Sequence, residues 1–312
     1  MEQGHHQNRP SPRNAGRRWR QPDEGLSSTH FHFRNPTAMP HSLKPFVLIG
    51  PLVLFLAAAY VMPFLGVLEW SVTLPEPGLQ NYATAATDPL ILSVMIRTFR
   101  ICLIVTVFAV TAAYAISYIW VRGTPGQRLV MELCILIPFW ISVLTRAFGW
   151  VSLLSNRGLL NTWLTQLGVI SEPLTMVRNE FGVVLGMAHF LIPFAVFPIA
   201  SSMRSLDERV LLAARGMGAT PRRVFWQVYL PMTGAGILGG AILTFVFSLG
   251  FFITPAILGG GRSVMAAELI YLRIFQSPDW GLGAAISVMM MIIVGLLLSL
   301  LMRYARPNGM LK

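Results

Sequence analysis

Apolar positions in this chain gather into six blocks, at residues 46–68, 90–120, 129–154, 181–203, 232–258 and 282–302, with most polar and charged positions confined to the segments between them. A helix rises ~1.5 Å per residue and a hydrocarbon core is ~30 Å thick, so about 20 apolar residues suffice to cross it. The pattern predicts an all-α membrane protein with six transmembrane helices. Pro51 and Pro63 fall within the first block, which a membrane helix tolerates where neighbouring helices satisfy the freed carbonyls. Between the third and fourth blocks, Leu159, Leu160, Trp163, Leu164 and Leu167 recur at helical spacing in an otherwise polar stretch, predicting a short interfacial helix.

Composition agrees: 54% of the 312 residues are hydrophobic and 12% charged, against roughly a quarter charged in soluble domains, and the mean hydropathy is +0.61. The net charge of +11 raises nucleic acid as a partner, but its placement argues for a topology signal instead. Of the 24 Lys and Arg, Arg157, Arg178, Arg262 and Arg273 lie in segments assigned outside, and Arg97, Arg100 and Arg146 lie within blocks. The others lie in residues 1–44, in the turn at 121–128, between 204 and 223, and after 301. Positive residues collect on the cytoplasmic side, which places both termini in the cytoplasm of a multi-pass inner-membrane protein.

Residues 1–44 are rich in Arg and Pro with almost no apolar clustering, as expected of a disordered basic cytoplasmic tail that stays attached. His5, His6, His30, His32 and His41 lack the ordered spacing of a metal site. Cys102 and Cys134 both fall inside apolar blocks, so they read as small packing residues rather than a disulfide.

Residues 204–231 form a basic loop between the fourth and fifth blocks. Asp207 and Glu208 suit a helix start, Gly216 and Gly218 its end, and Pro221 the first turn of a second short helix. The expected result is a helix-turn-helix shelf in water, with small Ala213, Ala214 and Gly218 allowing another surface to approach its backbone. The run Leu212-Ala213-Ala214, then Gly218, Val228 and Leu230-Pro231 resembles the signature loop of importer permeases of the ATP-binding-cassette superfamily. Its pattern is Glu-Ala-Ala, three residues, Gly, nine residues, Ile, one residue, Leu-Pro. Two departures stand out: Leu212 replaces the acidic residue and Val228 the isoleucine.

The resemblance extends over residues 45–305 and is nearest the polyamine (spermidine/putrescine) type of permease, through Asn81-Tyr82, Ile137-Pro138-Phe139-Trp140 with Arg146, Gly158-Leu159-Leu160-Asn161 and Leu258-Gly259-Gly260. It implies a type I (MetI-like) importer transmembrane domain at 45–305. It also implies that Leu212, Ala213, Ala214, Gly218, Leu230 and Pro231 belong to an ATPase-coupling loop at 204–231. Implied partners are ATPase subunits, a second permease subunit and an extracytoplasmic solute-binding protein, which the outer Gly259-Gly260-Gly261-Arg262 segment would face. No Walker site, His-Glu-x-x-His run or Gly-x-Ser-x-Gly elbow occurs in the chain, so no catalytic residue is assigned. The resemblance places ATP-Mg on the partner ATPase subunits, with no cofactor on this chain.

Arg97, Arg100, Trp140 and Arg146 are the candidate pathway residues. Charged groups within spans are costly unless they face protein, water or the interface, and Arg97 and Arg100 share a helix face. The readings are an anion-attracting wall or interfacial snorkelling. His189 is read as a packed core histidine rather than a proton relay. Similarity suggests a polyamine-like solute, whereas arginines lining the route would suit an anionic or zwitterionic one, such as an organophosphonate or an amino-acid derivative. An ion-gradient secondary transporter is the alternative function; the acids it would place at mid-membrane are not evident. A membrane enzyme would need a cluster of reactive groups that His189 alone does not supply.

Overall fold

A computed structural model describes residues 44–305; the expected basic tail up to residue 43, with its histidines, and residues 306–312 lie outside them. The chain divides into two units, Met1–Leu56 and Ala57–Lys312, and of the first the described part is the start of helix α1.

The described residues form helices and no strand: α1 (Lys44–Thr73), α2 (Gln80–Thr87), α3 (Pro89–Arg122), α4 (Pro125–Trp140), α5 (Val143–Leu154), α6 (Leu159–Gln166) and α7 (Glu180–Arg204) come first. Then follow α8 (Glu208–Gly216), α9 (Pro221–Val224), a π turn (Phe225–Tyr229), α10 (Leu230–Met232) and α11 (Gly234–Leu249). A π turn (Pro255–Gly259), α12 (Ala266–Tyr271), a third π turn (Leu272–Gln276) and α13 (Trp280–Ala305) complete the order. The starts are set locally. Asp88 accepts from the Leu90 amide at 2.7 Å ahead of Pro89, Thr124 and Gln127 close a capping box ahead of Pro125, and Asn179 accepts from the Gly182 amide at 3.0 Å.

Helices α3, α7 and α11 pack on one another and form the core of the second unit. Ile101, Cys102, Val105 and Ala109 of α3 meet Val183, Met187, Ala188 and Leu191 of α7 and Phe245 and Leu249 of α11. Lipid tails are as apolar as these side chains, so close packing rather than water exclusion must hold such helices together. Gly236 and Gly240, one turn apart on α11, provide the close approach. A Cβ at Gly240 would stand 3.1 Å from the Ala195 carbonyl oxygen, and one at Gly236 2.7 Å from that of Pro198. Ser117 adds a bond from its hydroxyl to the Val196 carbonyl at 3.2 Å.

Among the described residues four helices are long and apolar enough to cross a membrane, and the count reaches six if each of two bent pairs makes one span. The third and fifth blocks are not built as single straight helices. The third block breaks after Trp140, and the direction changes by 106°. Pro138 has no amide hydrogen to offer the preceding turn; the Ile141 amide reaches back only to the Pro138 carbonyl, at 3.2 Å. Ser142 then caps α5, accepting from the Leu144 amide at 3.3 Å. At the start of the fifth block, 221–232 and 234–249 meet at 58°, and α11 stops at Leu249, ahead of Gly250 and short of the block's expected end at 258. The short helix expected in 155–180 is α6. Two short helices were not expected: α2, held by Asn81 Nδ2 donating to the Leu74 carbonyl at 2.6 Å, and α12, seated on α3 where the Ala266 amide donates to Thr98 Oγ1 at 2.8 Å.

Candidate functional site

The shelf between α7 and α11 has the local structure its residues specify. Asp207 caps α8 by accepting from the Arg209 amide at 2.9 Å. At the other end Gly218 takes a left-handed conformation, φ +84°, which a residue with a Cβ adopts only at a cost. The Gly218 amide returns to the Arg215 carbonyl at 2.9 Å and the Ala219 amide to the Ala214 carbonyl at 3.1 Å, the paired bonds of a Schellman ending. Thr220 and Pro221 then start α9.

The shelf's predicted contact residues do not all point the same way. Leu212 and Ala213 are exposed, and Met217 is 83% exposed. Gly218 is exposed with open space where a Cβ would stand. Ala214 is buried, packed with Leu211, Val224 and Tyr229. Leu230 and Pro231 lie beyond the shelf, in α10, at the bend into α11. Sequence reading did not find what ties the shelf down. Arg122, the last residue of α3, pairs with Glu208 at 2.7 Å and lies 5.4 Å from the centre of the Tyr229 ring. Tyr118 packs edge-on against Phe225 and Tyr229, with centroids 5.8 and 5.6 Å away, and Arg204 covers Trp120 at 4.4 Å. Aromatic residues one turn apart at 225 and 229, facing Tyr114 and Tyr118 on α3, were the available signal.

A second feature forms at the break between α4 and α5. A cleft of about 350 Å³ is lined by Phe139, Trp140, Val143, Arg146, Phe190 and Phe194. It shares Val143 and Phe190 with a neighbouring cleft of about 280 Å³ that includes Phe251 and Phe252. The rings form a continuous wall: Phe190 stacks on Phe194 at 5.7 Å and meets Phe251 edge-on at 5.0 Å. Trp140 is 84% exposed. The Arg146 guanidinium lies over Phe190, 4.2 Å from the ring centre, and its buried Nε and Nη1 have no hydrogen-bond partner. Trp140 and Arg146 are thus brought to one cleft, as the Pro138 break requires.

Arg97 and Arg100 are not part of that cleft's lining. Both reach Glu180 at the start of α7: Arg100 Nη2 bonds its two oxygens at 2.5 and 2.6 Å, and Arg97 Nε lies 3.7 Å away. Glu180 and Phe190 are ten residues apart on α7, about 15 Å at helical rise. His189 Nδ1 accepts from Trp150 Nε1 at 3.3 Å, as a packed histidine would. In the segment after α11, Gly260 (φ +52°) and Gly261 (φ +76°) turn the chain, and the Leu258 carbonyl accepts from the Arg178 amide at 2.7 Å.

Comparison with known proteins places these features in context. The family described as "Binding-protein-dependent transport system inner membrane component" matches residues 128–308. The spermidine/putrescine transport system permease protein PotB of Escherichia coli (strain K12) is 31% identical over 228 residues, covering 73% of this chain and 82% of that protein. PotB of Haemophilus influenzae is 30% identical over 75% of this chain and 80% of its own. The inner membrane ABC transporter permease protein YdcU of Escherichia coli (strain K12) is 27% identical over 73% and 76%. Among solved structures, a bacterial alginate ABC transporter in complex with alginate pentasaccharide-bound periplasmic protein superposes with a TM-score of 0.75 at 14% identity, covering 85% of this chain and 96% of that one. The MetNI methionine ABC transporter gives 0.54 at 15%, over 71% and 99%; at such identities the likeness concerns the fold. With the loop motif seated on a built shelf and relatives matched over most of their length, the chain belongs to the inner-membrane components of binding-protein-dependent transport systems and is the permease subunit of an ATP-binding-cassette importer.

Proposed function

We propose that this permease carries a polyamine-like solute, working with a second permease subunit, two ATPase subunits and an extracytoplasmic solute-binding protein. The observation that carries this reading is the aromatic cleft at the α4–α5 break in a chain akin to spermidine/putrescine permeases. Ring faces attract organic cations without binding them permanently, which suits a solute that must leave again. The basic residues of 1–44, 121–128 and 204–223 support a topology with both termini and the shelf in the cytoplasm. There Leu212, Ala213, Met217 and Gly218 face the ATPase, Ala214 holds the shelf to its own chain, and Leu230 and Pro231 pass its displacement into α11. ATP-Mg is held by the ATPase pair. Its closure moves the shelf and opens the spans outward; hydrolysis resets the inward-facing state.

A second reading has its own observation. Unpaired guanidinium nitrogens on Arg146 favour a solute bearing hydrogen-bond acceptors, anionic or zwitterionic, and oppose a polycation. Uptake into proteoliposomes containing the assembled importer separates the two readings. Labelled spermidine should enter with ATP and be displaced by putrescine. Displacement of an entering organophosphonate or amino acid, with no spermidine uptake, would establish the second reading; entry driven by an ion gradient without ATP would refute the coupling scheme.

A further inference from the structure

Beneath the shelf lies a cavity that the transport cycle as described does not use. It measures about 150 Å³, well above the ~15 Å³ that a single water needs on that kind of measure. Tyr118 and Arg122 of α3 form one wall, and Arg215, Pro221, Phe225 and Tyr229 of the shelf form the other.

The polar side chains in it are two arginines and two tyrosines. Tyr229 is 3% exposed, and its hydroxyl has no hydrogen-bond partner; the Arg122 guanidinium beside it, 5.4 Å from the ring centre, can only donate, which leaves the phenol's own proton without an acceptor. Arg122 engages Glu208 through Nη1, and Arg215 takes part in no ion pair or side-chain hydrogen bond among the described residues. A buried, unpartnered hydroxyl is costly, so its retention beside two guanidinium groups calls for a compensating acceptor. Arginine forks match tetrahedral oxyanions, with oxygens to spare for a phenol. Glu208 offsets one charge, leaving the surroundings positive, since Arg204, Arg222 and Arg223 share the segment.

We propose that this cavity binds a phosphoryl group, through Arg122, Arg215 and the Tyr229 hydroxyl. The ligand would bridge the end of α3 to the shelf and so hold together two elements between which coupling strain passes. The same chemistry is available from inorganic phosphate and from the headgroup of an anionic phospholipid, because the cavity lies where α3 ends. The site's cytoplasmic placement rests on the proposed topology; phosphoryl binding itself does not.

The test uses the full-length permease, purified in detergent and measured without partners or transport. Isothermal titration with inorganic phosphate, against chloride at equal ionic strength, is run on wild type, Arg215→Gln and Tyr229→Phe, with Arg209→Gln as a basic control outside the cavity. Native mass spectrometry of the same proteins, taken from nanodiscs of phosphatidylglycerol with phosphatidylcholine, records retained lipid. Saturable phosphate binding weakened about tenfold in both cavity variants, as loss of one charged hydrogen bond predicts, and unchanged in Arg209→Gln, supports the site with free phosphate as ligand. Retained phosphatidylglycerol that both cavity variants lose and Arg209→Gln keeps supports the lipid source. Absence of both, or equal binding by cavity variants that run as monodisperse wild-type-like protein, overturns the proposal. Tyr229→Phe removes only one oxygen, so misfolding does not confuse its outcome.

Discussion

The shelf and the cleft are built from similar side chains and solve opposite problems. In the shelf, aromatic rings and arginines are consumed internally: Arg122 is spent on Glu208 and packs by Tyr229, Arg204 covers Trp120, and Tyr118 is wedged between Phe225 and Tyr229. In the cleft the same residue types remain open: Trp140 is exposed, and Arg146 rests on one ring with nitrogens left over. In the proposed cycle the shelf transmits force and must be stiff, so its rings pack on one another and on Arg122 and Arg204, with Arg215 and the Tyr229 hydroxyl as the exceptions. In the proposed cycle the cleft passes a solute and must bind it briefly, which groups left unpaired suit. Both rest on the same α3–α7–α11 core, which lets the two regions differ locally without separate domains.

The contrast predicts a graded set of effects. Gly218→Val should be the most damaging single change. A β-branched residue at φ +84° costs roughly 1–2 kcal/mol and disturbs the surface proposed to meet the ATPase. The permease should still extract as a folded monodisperse protein, while co-purified ATPase and ATP-driven uptake fall more than about tenfold; retention of the ATPase would mean that the turn is not part of the contact. Arg146→Gln comes next, with KM for the transported solute moving by about tenfold and expression unaltered. For a polyamine, removing the charge lowers KM; a rise identifies an acceptor-bearing solute. The smallest effects come from the exposed ion pairs, each worth ~0.2–1 kcal/mol. Arg122→Gln also loses its contact with Tyr229, so it should lower uptake about threefold, with partial recovery in the Arg122→Glu, Glu208→Arg double variant. Glu180→Gln should change uptake less than twofold. Equal losses from the two would show that the Glu180 cluster also carries force.

Much of this was readable in advance because it is decided locally. Spans show as apolar blocks since lipid leaves the backbone no other partners. The shelf's start at Asp207, its end at Gly218 and its restart at Pro221 follow from caps and φ preferences within a few residues. The breaks were less legible. Pro138 was visible, but a proline in a membrane helix is compatible with a gentle kink, and only the Pro138 carbonyl's partner and the Ser142 cap made it a 106° turn. Glu180 lies just outside the fourth apolar block in sequence, and the structure makes it the counter-ion of Arg100. That pairing spans 80 positions, and no local pattern reports it.

By itself, then, the sequence determined the membrane class, the number of apolar blocks and the helix-turn-helix shelf with its family motif, because hydropathy, capping and left-handed glycine act over one or two turns. Only the tertiary structure decided that Ala214 faces inward while Leu212 and Met217 face out, that Arg97 and Arg100 join Glu180 while Arg146 enters an aromatic cleft, and that Tyr229 keeps a buried unpartnered hydroxyl. Those outcomes depend on which helices meet and at what distance, and close approach at Gly236 and Gly240 sets that. Packing of this kind is a property of pairs of surfaces, which no single stretch of chain contains.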